Sequence, residues 1–595
     1  MTNIEIVAEV ANAHQGDPEL AIKLAKDCLA AGADAVKFQV YFAHELLVRS
    51  HPRFEHFRKQ SFSATAWEHV IGALKSTGAP VYCDVFGLDA LKVALNAGAD
   101  GFKIHSSDLA NSPLLQAAAS AHRRIFLSTG GSSACEIAYA LTNVREHGVR
   151  PVLLHGFQSY PTAVEDSRLS RLEWLAGNFG QFADIGYQDH VAGDDPFAVI
   201  LPILAIGMGA QMIEKHVTLD RGAQGVDYYS SLEPSELADF VATVRRAERA
   251  RGAHPAAFSV SERNYRDTVK KHWVASADLP AGRVLELSDL VMKRVPGAGA
   301  GALELEKLIG RELLCDVHAE HAFTRADVRN TVWAMVVARM RSSRLPGKAL
   351  LDVAGMPALR HLLERLKQSR RIDKIVFCTT VLEEDEPLAE LASAAGVVCC
   401  RGPVEDVLAR MLGAIEGQNV DVMLRVTGDD ILVDPEYADI AIAHHLAVNA
   451  EYTDLKALPS GTEVELFDAG LMKRIHLLAR DPNGTEYLTN YVTDHPDQFR
   501  TAHAPIQEQH ARNWRLTLDT PEDYEVIHLL LKAMRDKDRA LTYRLDDIVE
   551  FFESNLEVLS INSRVRQRQA PPDVDTVMDW RRLVPPAATE LGSTQ

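Results

Sequence analysis

The stretch that decides the fold is QMIEKHVTLD, residues 211–220, where an apolar run ends abruptly in Glu214, Lys215 and His216. A buried strand has no local reason to finish in three ionisable side chains. The same ending recurs in AVKFQV (35–40) with Lys37, in GFKIHS (101–106) with Lys103 and His105, and in IGYQDH (185–190) with Asp189 and His190. Recurrence at regular intervals points to a shared site built at the ends of several strands.

Working outward, residues 4 to about 251 alternate short β-rich runs with amphipathic stretches. The runs are IEIVAEV, DAVKFQV, PVYCDVF, DGFKIHS, RIFLSTG, PVLLHGF, FADIGYQ and AQMIEKHV. GAD occurs at Gly32 and again at Gly98, after a helix and before a strand, where a glycine stops the helix. Eight apolar strands alternating with helices predict a (β/α)8 TIM barrel over 1–262, with an open doubly wound sheet as the alternative. Active sites of such barrels lie at the C-terminal strand ends. Glu9, Lys37, Lys103, Ser128, His190, Glu214 and His216 all fall there. Alternation along the last strand turns Glu214 and His216 inward and Lys215 outward, which makes Lys215 structural.

Residues 268–329 read as a small β-rich domain with a Gly-rich loop, too small for a large independent core. From 331 to 570 strand–helix alternation resumes in open-sheet style. The Pro- and polar-rich tail, 571–595, is expected to fray. The full chain has 595 residues and a formal charge of −19, which argues against general nucleic-acid or anionic-membrane binding. Its seven cysteines form no CxxC pair, and no apolar run approaches the roughly 20 residues of a membrane span. The start, MTNIEIVAEVANAHQG, shows neither a basic nor a long apolar leader region. A soluble, cytoplasmic protein is the expectation.

Two chemistries suggest themselves. In the barrel, His190 and His216 end neighbouring strands and suit a divalent metal such as Mn²⁺. Lys37 and Lys103 offer charge to an anion, Ser106 and Ser128 offer hydroxyls, and Glu9, Glu214 and Asp227 can transfer protons. In the C-terminal unit, ARMRSSRLPGKAL follows a buried strand. It brings Arg339, Arg344 and Lys348 to a Pro-Gly turn suited to phosphate. RVTGDD places Asp429, together with Arg425 as a further nucleotide-binding candidate, and LTLDTPEDY places Asp519, at further strand ends. The two carboxylates suit Mg²⁺ with nucleotide phosphates.

These residues also resemble known families. AEVANAHQG, GADAVKFQ, FKIHSSDLANSPLL, LSTGGSSACEI, SYPTAVEDSRL, IGYQDHVAG, IEKHVTLD and GVDYYSSLEPSEL resemble, in order, the sialic acid synthases. VMKRVPGAGAG is similar to the antifreeze-like (SAF) segment of that family. The resemblance implies condensation of phosphoenolpyruvate with an aldose, typically N-acetylmannosamine or a related amino sugar, to a nine-carbon 2-keto-3-deoxy acid. It implies that Lys37, Lys103, Ser106, Gln158 and Tyr160 hold phosphoenolpyruvate and that Gln39 faces the sugar. It further implies that Arg294 reaches the sugar from the partner subunit of a domain-swapped homodimer. Four departures surround the pocket. Asp84 stands in CDVF where a phosphate-contacting Thr is expected, Ala13 replaces an Asn, Gly156 and Phe157 replace a Cys-containing segment, and Tyr228 replaces a His.

SRLPGKAL, RGPVEDVLARM, RVTGDD, SGTEVELF, GTEYLT and LDTPEDY resemble the cytidylyltransferases of the spore-coat polysaccharide protein F branch. That resemblance implies attack by an anomeric hydroxyl on the α-phosphate of CTP. GDDILV replaces GDCPLI there, and GTEYLT replaces REHVT. Together the two halves suggest a bifunctional nonulosonic-acid synthase and cytidylyltransferase. Two alternatives stay open: an aldolase acting on a different aldehyde, and a C-terminal unit that binds a nucleotide sugar without turnover.

Overall fold

A computed structural model describes residues 3–584 except 253–256, 298, 343, 482–484, 486, 496 and 567–575. The chain divides into two compact units, 1–255 and 256–595.

In the first unit, strands β1 (Glu5–Ala11), β2 (Ala35–Val40), β3 (Val81–Val85), β4 (Gly101–Ile104), β5 (Arg124–Ser128), β6 (Val152–His155), β7 (Asp184–Asp189) and β8 (Met212–Val217) pair in sequence order. β8 pairs back onto β1, with Glu9 opposite His216, which closes the barrel. The GAD turns work as the sequence suggests. Gly32 and Gly98 adopt φ of +98° and +88°, the left-handed conformation that suits glycine after a helix. The aspartate of each turn then clamps a neighbouring strand: Ile6 N donates to Asp34 (2.8 Å) and Val81 N to Asp100 (2.8 Å).

Alternation stacks the barrel interior in layers. The lower layer is apolar and includes Val7, Ala35, Tyr82, Phe126, Leu154 and Met212. Two residues further along the same strands the side chains become Glu9, Lys37, Asp84, Ser128 and Glu214, all buried. Lys215 points the other way, to Asp189 (2.5 Å) and the Ala198 carbonyl (3.2 Å), beneath the helix Phe197–Gly207.

The second unit holds the small β-rich domain and a seven-stranded sheet. The sheet order is Val398–Gly402, Lys374–Thr380, Val332–Val337, Val422–Thr427, Glu465–Asp468, Tyr452–Asp454, Thr501–His503. The first four strands are parallel, and Glu465–Asp468 runs antiparallel to both of its neighbours. The small domain has its own core around Leu285, Leu308, Leu313 and Phe323. It is joined to the sheet by ion pairs: the buried Arg325–Asp468 pair (2.7 Å) and the partly exposed Lys307–Asp468 (2.8 Å) and Arg311–Asp421 (2.5 Å) pairs. The tail differs from the expected frayed segment over 576–584. Met578 is buried and Trp580 packs on Phe499, two anchors in a run that also carries Val577, Leu583 and Val584. Residues 571–575 and 585–595 lie outside the described set.

Candidate functional sites

The upper layer of the barrel concentrates five ionisable groups. Lys103 Nζ donates to Glu214 Oε1 (2.7 Å), and Lys37 contacts Glu9 and lies 3.4 Å from Glu214. Asp84 lies 3.6 Å from Lys37 and 3.7 Å from Lys103. Each of these side chains is at most 2% exposed. Burial pushes the Lys37 ammonium down to about 8, against the pull of Glu214. Burial also opposes charge on Lys103 and Glu214, but their mutual attraction outweighs it. It raises the Lys103 pKa and holds Glu214 at about 2.

His190 and His216 cap this layer, with ring centroids 5.1 Å apart and the Tyr160 ring edge-on to both. Burial, reinforced by Lys103, lowers His190 to about 3, and burial lowers His216 far below its ordinary value, so both imidazoles are neutral. The Nδ1 atom of each ring is buried without a hydrogen-bond partner. Two adjacent neutral imidazoles with unused ring nitrogens fit a divalent metal whose remaining positions go to substrate or solvent. No cluster of three His, Cys, Asp or Glu suited to a metal occurs among the described residues.

Of the other barrel residues singled out in the sequence, Gln39 is buried and accepts from Asn12 Nδ2 (3.2 Å), and Tyr41 OH donates to Asn12 Oδ1 (2.6 Å). Ser106 opens a short turn directly after β4. Asp227 adopts φ +61° next to the Tyr228–Ser230 turn, and burial raises its carboxyl pKa. Gln158 lies exposed in the loop after β6. Arg294 lies exposed just past the strand Leu290–Lys293 of the second unit. The sequence reading missed Gln188, which donates to Ser128 Oγ (2.8 Å) and to the Gly156 carbonyl (2.6 Å). Its inward position follows from the alternation that places Glu214. Gly156 allows this approach: with φ +128°, a Cβ there would lie 2.1 Å from the Gln188 carbonyl oxygen.

In the second unit, a cleft of about 330 Å³ is lined by Arg339, Arg344, Lys348, Arg425, Asp429 and Asp519, among others. Lys348 Nζ bridges Asp429 (2.6 Å) and Asp519 (2.7 Å), and Arg344 meets Asp519 (2.9 Å). Gly347, at φ +67°, makes the turn that brings Lys348 inward. Burial opposes charge on both Lys348 and Asp519. Asp429 and Asp519 nonetheless raise Lys348, and Lys348 holds Asp519 at about 2. Arg425 is turned to Glu465 (2.6 Å). Two further carboxyls were not foreseen as special. Burial and Asp429 push Asp430 up to about 7, and burial and Asp430 push Glu463 up to about 8. The GDD doublet was the available signal for Asp430. Convergent carboxylate oxygens suit a hard cation such as Mg²⁺. Ser343 of the basic turn, and Gly484 and Glu486 of the GTEYLT segment, lie outside the described residues.

Comparison with known proteins matches residues 21–255 to the NeuB family, 273–329 to the SAF domain and 333–552 to the cytidylyltransferases. The N,N'-diacetyllegionaminic acid synthase of Legionella pneumophila is 29% identical, over 53% of this chain and 91% of that protein. The spore coat polysaccharide biosynthesis protein SpsF of Bacillus subtilis is 34% identical, over 35% of this chain and 89% of that protein. Among solved structures, the N-acetylneuraminic acid synthetase of Leptospira borgpetersenii is 30% identical. That alignment covers 45% of this chain and 92% of that one, with a TM-score of 0.42.

Proposed function

The chain belongs to the NeuB family in its barrel and to the SAF and cytidylyltransferase families beyond it, and from that premise we propose a two-step, bifunctional enzyme. The barrel condenses phosphoenolpyruvate with an N-acylated aldose to a 2-keto-3-deoxy nonulosonic acid. The C-terminal unit then joins that acid to CMP for surface polysaccharide synthesis. The observation that carries the reading is the buried Lys37–Lys103–Glu214 cluster directly beneath the His190–His216 pair. It supports assigning anion binding and proton transfer to one barrel mouth.

In the first step, Lys37, Lys103 and the Ser106 hydroxyl hold the phosphate and carboxylate of phosphoenolpyruvate, with Tyr160 and Gln158 over them. Gln39 orients the sugar. A divalent metal, Mn²⁺ in this reading, would be held by His190 and His216 and would polarise the aldehyde. The methylene carbon of phosphoenolpyruvate bonds to the aldehyde carbon, and the aldehyde oxygen gains a proton. Water adds at the neighbouring carbon that bears the phosphate, the C–O bond from that carbon to phosphate breaks, and loss of the water's protons leaves the 2-keto group. Glu9, Glu214 and Asp227 are the groups assigned to move these protons. Arg294 reaches the sugar from a second copy in a domain-swapped homodimer.

In the second step, Arg339, Arg344 and Lys348 hold the triphosphate of CTP, and Asp429 and Asp519 would hold Mg²⁺, which would screen the phosphate charge. Arg425, which pairs with Glu465, joins this nucleotide-binding set in the proposal. The anomeric oxygen bonds to the α-phosphorus, and pyrophosphate leaves with the electrons of the broken P–O bond. Both steps belong in the cytoplasm, where phosphoenolpyruvate and CTP are supplied. No helix among the described residues is long and apolar enough to cross a membrane. Separate assays of phosphate release from phosphoenolpyruvate with a hexosamine panel, and of pyrophosphate release from CTP with nonulosonic acids, test the two steps. Absence of both releases with every substrate would refute the proposal.

A further inference from the structure

The upper layer of the barrel carries three carboxylates, Glu9, Asp84 and Glu214, against two ammonium groups, Lys37 and Lys103. Fully ionised, the layer has an excess of one negative charge before any ligand enters. Glu214 and Glu9 are the direct partners of the two lysines. Asp84 is the surplus group. It is fully buried, neither of its oxygens has a hydrogen-bond donor, and Oδ2 sits almost equidistant from the two lysines, at 3.6 and 3.7 Å. A buried carboxylate without donors is costly unless neighbouring charge offsets it, and here the two ammonium groups lie near enough to do so.

Gln188 strengthens this pattern. Its Nε2 is spent on Ser128 and the Gly156 carbonyl, while its Oε1 is buried and unpartnered. The two positions together add acceptor atoms, and no free donor, to a pocket that has to receive an anion. The resemblance to the synthases expects a hydroxyl donor where Asp84 stands.

We infer that Asp84 is a specificity-determining residue: its carboxylate occupies the place between Lys37 and Lys103 that the phosphate of an anionic substrate must take, and it weakens the barrel's hold on that phosphate. This rests on the proposed condensation, because that reading makes the two lysines the phosphate grip. Binding of a phosphorylated substrate then requires Asp84 to yield its position, whereas an uncharged or hydroxyl-donating group at the same place would add to the grip.

The test is calorimetric titration of the full-length protein with phosphoenolpyruvate and, separately, with inorganic phosphate, for wild type, Asp84→Asn and Asp84→Thr. Asn keeps the shape and removes the charge; Thr restores a donor. Both variants are expected to bind each ligand at least tenfold more tightly than wild type, with Thr at or above Asn. Equal or weaker binding by variants with native circular dichroism overturns the inference, as does loss of fold in both variants. Mass spectrometry of wild-type product separates this from the larger reading. Product without any gain in variant affinity removes the role of Asp84 and leaves the condensation standing. Absence of phosphoenolpyruvate binding to all three proteins removes the condensation itself.

Discussion

Replacing Asp468 by Asn should loosen the small domain from the sheet of the second unit. Asp468 is 3% exposed and is the carboxylate partner of Arg325, itself 1% exposed, at 2.7 Å. Removing one partner of such a pair strands a buried charge and costs about 3–5 kcal/mol. Lys307, the second cation on Asp468, is 25% exposed, so its share is roughly 1 kcal/mol or less. Asparagine preserves the other task of this side chain, capping the helix Ala469–Leu478 through Gly470 N (2.8 Å) and Leu471 N (3.2 Å). Alanine would forfeit that cap as well, for about 1 kcal/mol more. The assay is amide hydrogen exchange over His272–Ala275, Leu290–Lys293 and the Arg325 region in the full-length protein. At 1.4 kcal/mol per tenfold, exchange there should accelerate by about two to three and a half powers of ten in Asp468→Asn. In Asp468→Asn/Arg325→Met much of that loss should be restored, since no unpaired guanidinium remains. Unchanged exchange in the single variant, or simple additivity in the double variant, would refute the argument that buried charge joins the two parts.

Other expected outcomes concern the two sites and acid stability. His216→Ala should abolish phosphate release by the barrel and leave pyrophosphate release from added nonulosonic acid within about twofold; loss of both in a folded protein would contradict two separate sites. Lys348→Ala should lower cytidylyl transfer by about 10²–10³, the scale for one lost transition-state donor, while barrel activity persists. Equal pyrophosphate release by the variant and wild type would count against Lys348. The buried His445 is held neutral, its pKa lowered by burial to about 3, and His14 similarly to about 4. The unfolded chain therefore binds more protons than the folded one between pH 6.5 and those values. This stabilisation is complete above pH 6.5 and is lost as pH falls toward 4 and then 3, by roughly several kcal/mol at His445. His445→Gln should flatten the fall in thermal midpoint of the second unit over that window; an unchanged slope would show that another group governs it.

Much of this architecture was legible because two periodicities coincided. In AVKFQV, Val36, Phe38 and Val40 pack in the outer core while Lys37 enters the lumen. The charged strand ends therefore announced both the barrel and its mouth. Asp84 was visible as a departure from the family pattern, and alternation in VYCDV sends it inward. Its position between both lysines, however, depends on how β3 packs beside β2 and β4. The Arg325–Asp468 pair was not legible. The two residues are 143 apart in sequence, and alternation gives the face of a strand but not its distant partner. The packed segment 576–584, anchored by Met578 and Trp580, is short and follows the Pro- and Asp-containing run APPDVD, which gave the whole tail a polar reading. Gln158 and Arg294 came from resemblance alone, and both lie at the surface, where periodicity carries no information.

One chain is expected both to make a nonulosonic acid and to activate it. The most direct test is a single incubation followed by mass spectrometry, containing the protein, phosphoenolpyruvate, CTP, Mn²⁺, Mg²⁺ and a panel of N-acylated and plain hexoses. A CMP-linked nonulosonic acid is expected, lost on omission of either phosphoenolpyruvate or CTP. Free nonulosonic acid that never acquires CMP, or no new acid from any sugar in the panel, would contradict that expectation.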